Sequence, residues 1–527
     1  MNSLVIAVIT IVLFVLAYRF YARKLEALWQ VDAKRSTPAF AKFDSLDYIP
    51  AKNWLVLFGH HFSSISGAGP IIGPVIAVIL WGWLPAFLWV LLGSIFIGGV
   101  HDFGSLVTSV REGGSSVADI ARHSISKKAK IIFSLFVWLA LVLVIAVFAH
   151  LCADTFVKEP RIVVPSLGLI PLAILVGYFL YFRKSGTFLP TLLGLACIPV
   201  LVWLGSVFSI HLSFKTWLLV LFLYCCFASV LPVNILLQPR DYLSSFLLFF
   251  GMAAGYLGLI LAHPKITMPA YTNFSSSEGY LWPALFVTVA CGAVSGFHSL
   301  ISSGTSSKQI ANERFAKRIG YGAMLTEGLI AVLAIIATAI LFNQEDGFAS
   351  VLKHSTPIGI FARGYAVVTS GLLGKYAPFI AVVILNAFIL TTLDTATRIS
   401  RYLTEELFHI KNRFASTAVI ISFSALLAFS GKWNRIWPVF GASNQLVAAL
   451  ALFVLSCWLL AKGKTIKFTI WPALFMLVTT IASLILQAVR YFKQKDILLF
   501  TVVILLLLLA GFMVYEVLKI FLKRRKI

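Results

Sequence analysis

Residues 54–80 read WLVLFGHHFSSISGAGPIIGPVIAVIL, an apolar run of the length that crosses a bilayer, interrupted at its centre. Residues 55–64 and 71–80 each suit a half-helix, while Ser66, Gly67, Gly69, Pro70, Gly73 and Pro74 discourage a continuous helix between them. Backbone groups freed at such a break cannot face lipid, so the break is expected to line a polar space inside the protein. Two readings stay open. One is a kink used only for packing; the other is a ligand site in which the second half-helix turns free N–H groups and its positive dipole end toward an anion. The adjacent His60 and His61, with Ser63, Ser64 and Ser66, favour the second, because polar side chains in a span are costly without a use. Ser64, Ser66, Gly67, Ala68 and Gly69 are the candidate substrate ligands here.

The rest of the chain fits a membrane setting. With 60% hydrophobic and 12% charged residues over 527 positions, it is too apolar for a soluble protein of several domains. The net charge of +23 sits in short loops between apolar runs rather than on one amphipathic face. The expected contacts of those cations are water and anionic headgroups, with no nucleic-acid partner. Six cysteines lie inside apolar runs without metal-ligand spacing, which predicts neither a disulfide framework nor a metal site. No phosphate-binding loop or dinucleotide motif follows a strand, so no cofactor and no ATP-driven pump are expected.

Apolar runs predict an all-α membrane protein of about fifteen transmembrane helices, at residues 3–21, 54–80, 83–103, 131–157, 163–182, 187–209, 217–237, 243–262, 283–303, 321–342, 377–400, 415–430, 438–461, 468–489 and 497–520. Strict alternation of the loops puts about 31 of the 43 Lys and Arg on one side. That side is read as cytoplasmic, with the amino terminus outside and the carboxyl terminus inside. A second apparent break, ASVLPVN at 228–234, comes five spans after the first in a helix of opposite direction. The pattern predicts a five-plus-five inverted repeat with discontinuous helices: 1–53 an extra helix and loop, 54–209 the first repeat, 210–400 the second, and 401–527 peripheral helices. The outside segment 343–376, with Gly364, Gly371 and Gly374, is a candidate lid.

Ionisable groups within spans are functional candidates. His60, His61, Asp102, His298, Glu327, Asp394 and Arg398 all fall toward the cytoplasmic half, as an inner gate or proton route requires; His150 and Asp154 lie apart. Adjacent helical positions point about 100° apart, so His60 and His61 do not readily share a metal ion. Asp394 and Arg398, at i and i+4, are expected to pair on one helix face, as a structural bridge or a gate. For Glu327, stabilisation of a helix start and proton carriage are equally open. Asn234 and Asn386 are the polar candidates at depth. Gln238, Arg240 and Asp241, and Asn444 with Gln445, read as packing or loop anchors.

GHHFSSISGAGPIIGPVIA at 59–77, HDFGSLVTSVREGGSSVADIA at 101–121, SGFHSLISSGTSSKQI at 295–310, IGYGAMLTEG at 319–328, LDTATRISRYLTEE at 393–406 and FGASNQLVAALAL at 440–452 together resemble the carbon starvation protein A (CstA) family of bacterial membrane proteins. The resemblance implies a LeuT-type fold and uptake of short peptides or pyruvate across the inner membrane, with protons or sodium as the coupling ion. It also implies Ser302 and Ser303 as places to look for a cation. Both implied substrates carry a carboxylate, which suits the half-helix end at 67–71. An intramembrane hydrolase using a serine of 63–66 with His60 or His61, and a nutrient sensor, are the alternatives. The topology is tested by single cysteines at Ser3 and Lys526 in a cysteine-free background: an impermeant thiol reagent added to whole cells is expected to label position 3 and not 526, and the reverse pattern overturns the assignment.

Overall fold

The computed structural model describes residues 2–182, 186–341, 356–430 and 433–524, and is almost wholly helical. Among these residues, twelve helices are long and apolar enough to cross a membrane, and the pair Trp54–Ile65 and Gly69–Trp81, bent by 42°, makes a thirteenth. Helices suit this medium because each satisfies its own backbone groups.

In chain order the helices are α1 (Ser3–Leu28), α2 (Trp54–Ile65), α3 (Gly69–Trp81), α4 (Trp83–Arg111), α5 (Val117–Ser124), α6 (Lys127–Lys158), α7 (Pro160–Tyr181), α8 (Phe188–Val207), α9 (Phe214–Val230) and α10 (Leu237–Ala262). A small hairpin, β1 (Ser275–Ser276) and β2 (Gly279–Tyr280), precedes α11 (281–288), α12 (Gly296–Gly304), α13 (Glu313–Ala339), α14 (Pro357–Leu373), α15 (Ala377–Phe408), α16 (Arg413–Ser430), α17 (Trp433–Ala461), α18 (Lys467–Lys493) and α19 (Ile497–Arg524). At the core, α6 and α15 lie along each other, α2 packs on α10, and α12 packs on α17. The first break lies between α2 and α3, as expected, with Asn53 capping α2 through the Val56 amide and Pro70 in the first turn of α3.

Three expectations are corrected, and a fourth, the lid, is placed in part. Residues 283–303 do not form one continuous helix: helix stops at Thr288 and resumes at Gly296. No proline marks this second break; it is held open by Asn444 of α17, whose Oδ1 accepts from the Phe297 amide at 2.9 Å and the Ser295 hydroxyl at 3.1 Å. Conversely, 228–234 does not interrupt a span but belongs largely to the turn joining α9 to α10, since Pro232 ends one helix and Pro239 suits the first turn of the next. Half of the expected lid, Pro357–Leu373, is the helix α14, ended by Gly374 at φ +51°; residues 342–355 lie outside the described part. Finally, the carboxyl-terminal helices are not uniformly peripheral. In α17 89% of the apolar window is buried, against 33% in α16, 44% in α18 and 28% in α19.

Glycines set how closely the core helices approach. A Cβ on Gly73 would lie 2.4 Å from the Thr288 carbonyl oxygen, and one on Gly69 2.4 Å from Cys291 Sγ, so the two breaks cross in direct contact. On α14, a Cβ at Gly364 would come within 1.9 Å of the Ala337 carbonyl, while one at Gly371 would meet nothing. Gly364→Ala is therefore expected to lower stability by about 1–3 kcal/mol through overpacking. Gly371→Ala is expected to raise it by about 0.4–1 kcal/mol by restricting the unfolded chain. Thermal unfolding of the two purified variants checks the opposite signs.

Candidate functional site

The break after Ile65 leaves carbonyls that α2 no longer uses. Two consecutive threonines on α15 take them: Thr391 Oγ1 donates to the Ser63 carbonyl at 2.9 Å and Thr392 Oγ1 to that of Ser64 at 3.1 Å. On the other side of the break, the Ile71 and Ile72 amides turn back onto the Ala68 carbonyl. Ser66, Gly67, Ala68 and Gly69 are all buried; the Ser66 hydroxyl has no partner, and Phe148 and Thr392 fill the space beside Gly67.

One turn below the break lies a buried charged cluster. Asp241, at the start of α10, takes His60 Nδ1 on its Oδ2 at 2.7 Å and the Ser64 hydroxyl at 3.2 Å, while Ser63 donates to its backbone carbonyl at 2.8 Å. His60 Nε2 faces the Gln309 amide at 3.3 Å, and Gln309 bonds in turn to Gln238. Arg240 reaches the other way, pairing with Asp394 Oδ2 and Tyr224 through one amino group and with Asp241 Oδ1 at 3.3 Å through the other. Tyr224 donates to the same Asp394 oxygen at 2.5 Å.

The i, i+4 spacing of Asp394 and Arg398 does not make a pair. Arg398 bonds to Asp47 at 3.2 Å and to the carbonyls of Ala228 and Leu231, the freed carboxyl-terminal oxygens of α9. Arg240 supplies the cation for Asp394 because α10 starts at Leu237 inside the bundle, which places 240 and 241, its fourth and fifth residues, in the buried core. The anchors Gln238, Arg240 and Asp241 are thus members of the central cluster. Asn444 and Gln445 do act as anchors, Gln445 donating to the Phe286 carbonyl at 2.5 Å.

A second buried chain runs through α4, α12 and α13. His101 Nδ1 lies 2.7 Å from Asp102 Oδ1, His298 Nδ1 2.9 Å from Asp102 Oδ2, and His298 Nε2 3.2 Å from Glu327 Oε2. Glu327 is mid-helix in α13, so stabilisation of a helix start does not account for it. His61 lies beside this chain with Nδ1 2.8 Å from the Ser306 hydroxyl. Ser302 makes a long contact, 3.5 Å, to the Asp102 carbonyl, and Ser303 donates to Ser299 of its own helix at 2.7 Å. Asn386 faces α7, donating to Ser166 at 2.9 Å, and Asn234 belongs to the turn between α9 and α10 rather than to the depth of a span. Neither joins the break. Among the described residues no group of His, Cys, Asp and Glu has the arrangement of a metal site. His60 turns to Asp241 and Gln309 and His61 turns to Ser306, so neither ring pairs with a serine of 63–66 as the hydrolase reading requires.

The end of the bundle that carries residues 30–48 is tied shut. Arg35 and Arg111 both reach the buried Glu313, at 2.8 and 2.6 Å, and Tyr402 joins Arg398 on Asp47. Lys308 lies between the rings of Tyr48 and Tyr402, 5.2 and 4.7 Å from their centroids. Burial lowers the Lys308 pKa, with Asp47 and Asp44 opposing the shift. At the opposite end a cavity of about 660 Å³ is lined by Ile76, the β1–β2 hairpin, Trp437 and Gln487, and Arg490 pairs with Glu278 beside it at 2.7 Å.

The family model described as carbon starvation protein CstA matches residues 2–348 and 342–483. The chain belongs to this family. Peptide transporter CstA of Escherichia coli K12 is 31% identical over 90% of this chain and 79% of its own length. Pyruvate/proton symporter BtsT of the same organism is 30% identical over 91% and 81%. Peptide transporter CstA of Bacillus subtilis is 31% identical over 86% and 85%. Among solved structures, the manganese transporter of Eremococcus coleocola in complex with an aromatic bis-isothiourea substituted compound has a similar fold, with a TM-score of 0.53 at 12% identity over 91% of this chain and 99% of that one.

The contact of the two breaks gives a direct test. Gly69→Ala is expected to lower the unfolding temperature, because its Cβ meets Cys291, and adding Cys291→Gly is expected to restore part of the loss. Equal melting temperatures for wild type and Gly69→Ala would contradict the crossing.

Proposed function

We propose that this chain is a secondary active transporter that carries a small carboxylate-bearing solute, a short peptide or pyruvate, into the cell together with a proton. The observation that carries the reading is the pair of helix breaks in contact at the core of a bundle of membrane-spanning helices, with charged groups buried around them. The relatives named for peptide and for pyruvate/proton transport support the solute class. The proton is favoured over sodium because the buried groups are carboxyls and imidazoles with partial hydrogen bonding, whereas the hydroxyls of Ser302 and Ser303 bond mainly to backbone carbonyls. Glu327 and Asp394 are the proposed proton holders, His60, His61, Asp102 and His298 the surrounding relay, and Arg398 part of the inner gate. Residues 64–69 remain the proposed contact of the solute with the backbone.

The proposed architecture has fifteen spans, which adds α9 and the discontinuous pair α11–α12 to the thirteen above, in a LeuT-type inverted repeat. The halves are redrawn from the 54–209 and 210–400 division to 54–262 and 281–461, with α7 and α8 inserted in the first. In support, each half starts with a broken helix, places a shorter helix before its long third one (α5 before α6, α14 before α15), and repeats the same packing, α2 on α10 and α12 on α17. The basic end is proposed to face the cytoplasm, in a bacterial inner membrane, with the amino terminus outside.

Proteoliposomes test the reading. Labelled pyruvate and labelled dialanine are offered under an imposed inward proton gradient and, separately, an inward sodium gradient. Concentrative uptake of one of them on the proton gradient alone is expected. Uptake on the sodium gradient alone would replace the coupling ion, and failure of both solutes on both gradients would remove the proposal.

A further inference from the structure

We infer that Arg240 is the anchor for the carboxylate of the transported solute, and that the side chain of Asp394 holds its place when no solute is bound. The inference rests on the carboxylate-transport reading above and deepens it by naming the site. Three arginines are buried among the described residues. Arg398 is committed to Asp47 and the carbonyls that end α9, and Arg401 pairs with Glu405 one turn along its own helix. Arg240 alone is held by carboxylates of the core, one turn from the break, since Thr392, which caps the Ser64 carbonyl, is two residues from Asp394.

The contact with Asp394 is incomplete. A guanidinium matches a carboxylate best in a two-bond fork. Here only Asp394 Oδ2 is engaged, shared with Tyr224, while Asp394 Oδ1 and Arg240 Nε are buried without partners. A fork left half-used in a buried site marks a place built for another carboxylate.

Charge balance then ties the solute to a proton. The groups facing the cluster are His60 from α2, Cys152 from α6, Tyr224 and Cys225 from α9, Arg240 and Asp241 from α10, and Asp394 on α15, whose Arg398 points away to Asp47. One guanidinium already faces two carboxylates, with His60 on the second. A third carboxylate would bring an uncompensated buried charge. If a proton adds to Asp394 as the solute anion displaces it from Arg240 and the Tyr224 hydroxyl, the cluster keeps its charge. One anion and one proton then enter together and leave together.

The test uses the full-length protein in proteoliposomes with pyruvate and its neutral isostere pyruvamide, and in parallel dialanine and dialanine amide. Wild type is expected to exchange internal for external labelled acid, with the acid and not the amide competing. Asp394→Asn is expected to keep exchange, with a half-saturation that no longer changes between pH 5.5 and 8, and to lose accumulation on a proton gradient. The double variant Arg240→Gln/Asp394→Asn removes the paired charges together and leaves Asp241 with His60 and the Ser64 hydroxyl. It is expected to weaken acid binding by about tenfold or more and to let the amide compete as well as the acid. A folded double variant with wild-type half-saturation and selectivity, or Asp394→Asn that still concentrates the acid, overturns the inference. Wild type that moves neither acid fails at the earlier step, and so removes the transport reading itself.

Discussion

The constraint from which the rest of the structure follows is that a helix cannot be broken in an apolar medium unless something else takes its hydrogen bonds. Two breaks touch at the core of this bundle, and each is serviced from a neighbouring helix. Thr391 and Thr392 take the carbonyls of Ser63 and Ser64, and Asn444 takes the amide of Phe297. These helices, α15 and α17, are therefore heavily buried, and the glycines at 69 and 73 admit the second break without a side chain between. The threonines at 391 and 392 of α15 follow from the same need, Thr395 adds a contact to the Ser64 hydroxyl at 3.3 Å, and Thr397 bonds back to Leu393 of its own helix.

Once the breaks are satisfied in this way, charge decides what surrounds them. The cluster at Arg240 and the chain from His101 to Glu327 lie on different helices and do not share a residue. The first has a permanent cation and the second has only imidazoles to set against its carboxyls. The carboxyls of the two groups therefore face different charges: a fixed guanidinium at Arg240, and at His101 and His298 a ring that is a cation only when protonated.

Much of this is legible in the chain. The first break is written in Gly and Pro, and the apolar runs mark helices that the structure contains. The second break is hidden because VTVACGAVSG at 287–296 contains no proline, and the side chain that satisfies it, Asn444, sits 147 residues from Phe297. ASVLPVN misleads for the opposite reason: its proline marks a turn between helices. Spacing along one helix pairs Asp394 with Arg398, but a buried acid takes whichever cation the tertiary fold delivers. Arg240 and Asp241 read as loop residues because a two-residue charge run beside Pro239 looks like a helix boundary. It is one, but the boundary lies inside the protein.

The two ends of the bundle differ in what holds them, and this bears on how it moves. At the basic end, Glu313 is fully buried between Arg35 and Arg111, and Arg398 is fully buried against Asp47. At the other end the cavity is bordered by Arg490 and Glu278, each about one-third exposed. Exposed pairs contribute little, while breaking a buried pair strands a desolvated charge. Opening toward the cavity end is thus the easier displacement, and opening toward the basic end requires that Glu313 and Asp47 exchange their arginines for water together. The two half-helix pairs meet closely at Gly69 and Cys291, with Pro70 and Pro74 against Gly292. A displacement that opens the basic end must therefore break its buried ion pairs as well as shift this crossing.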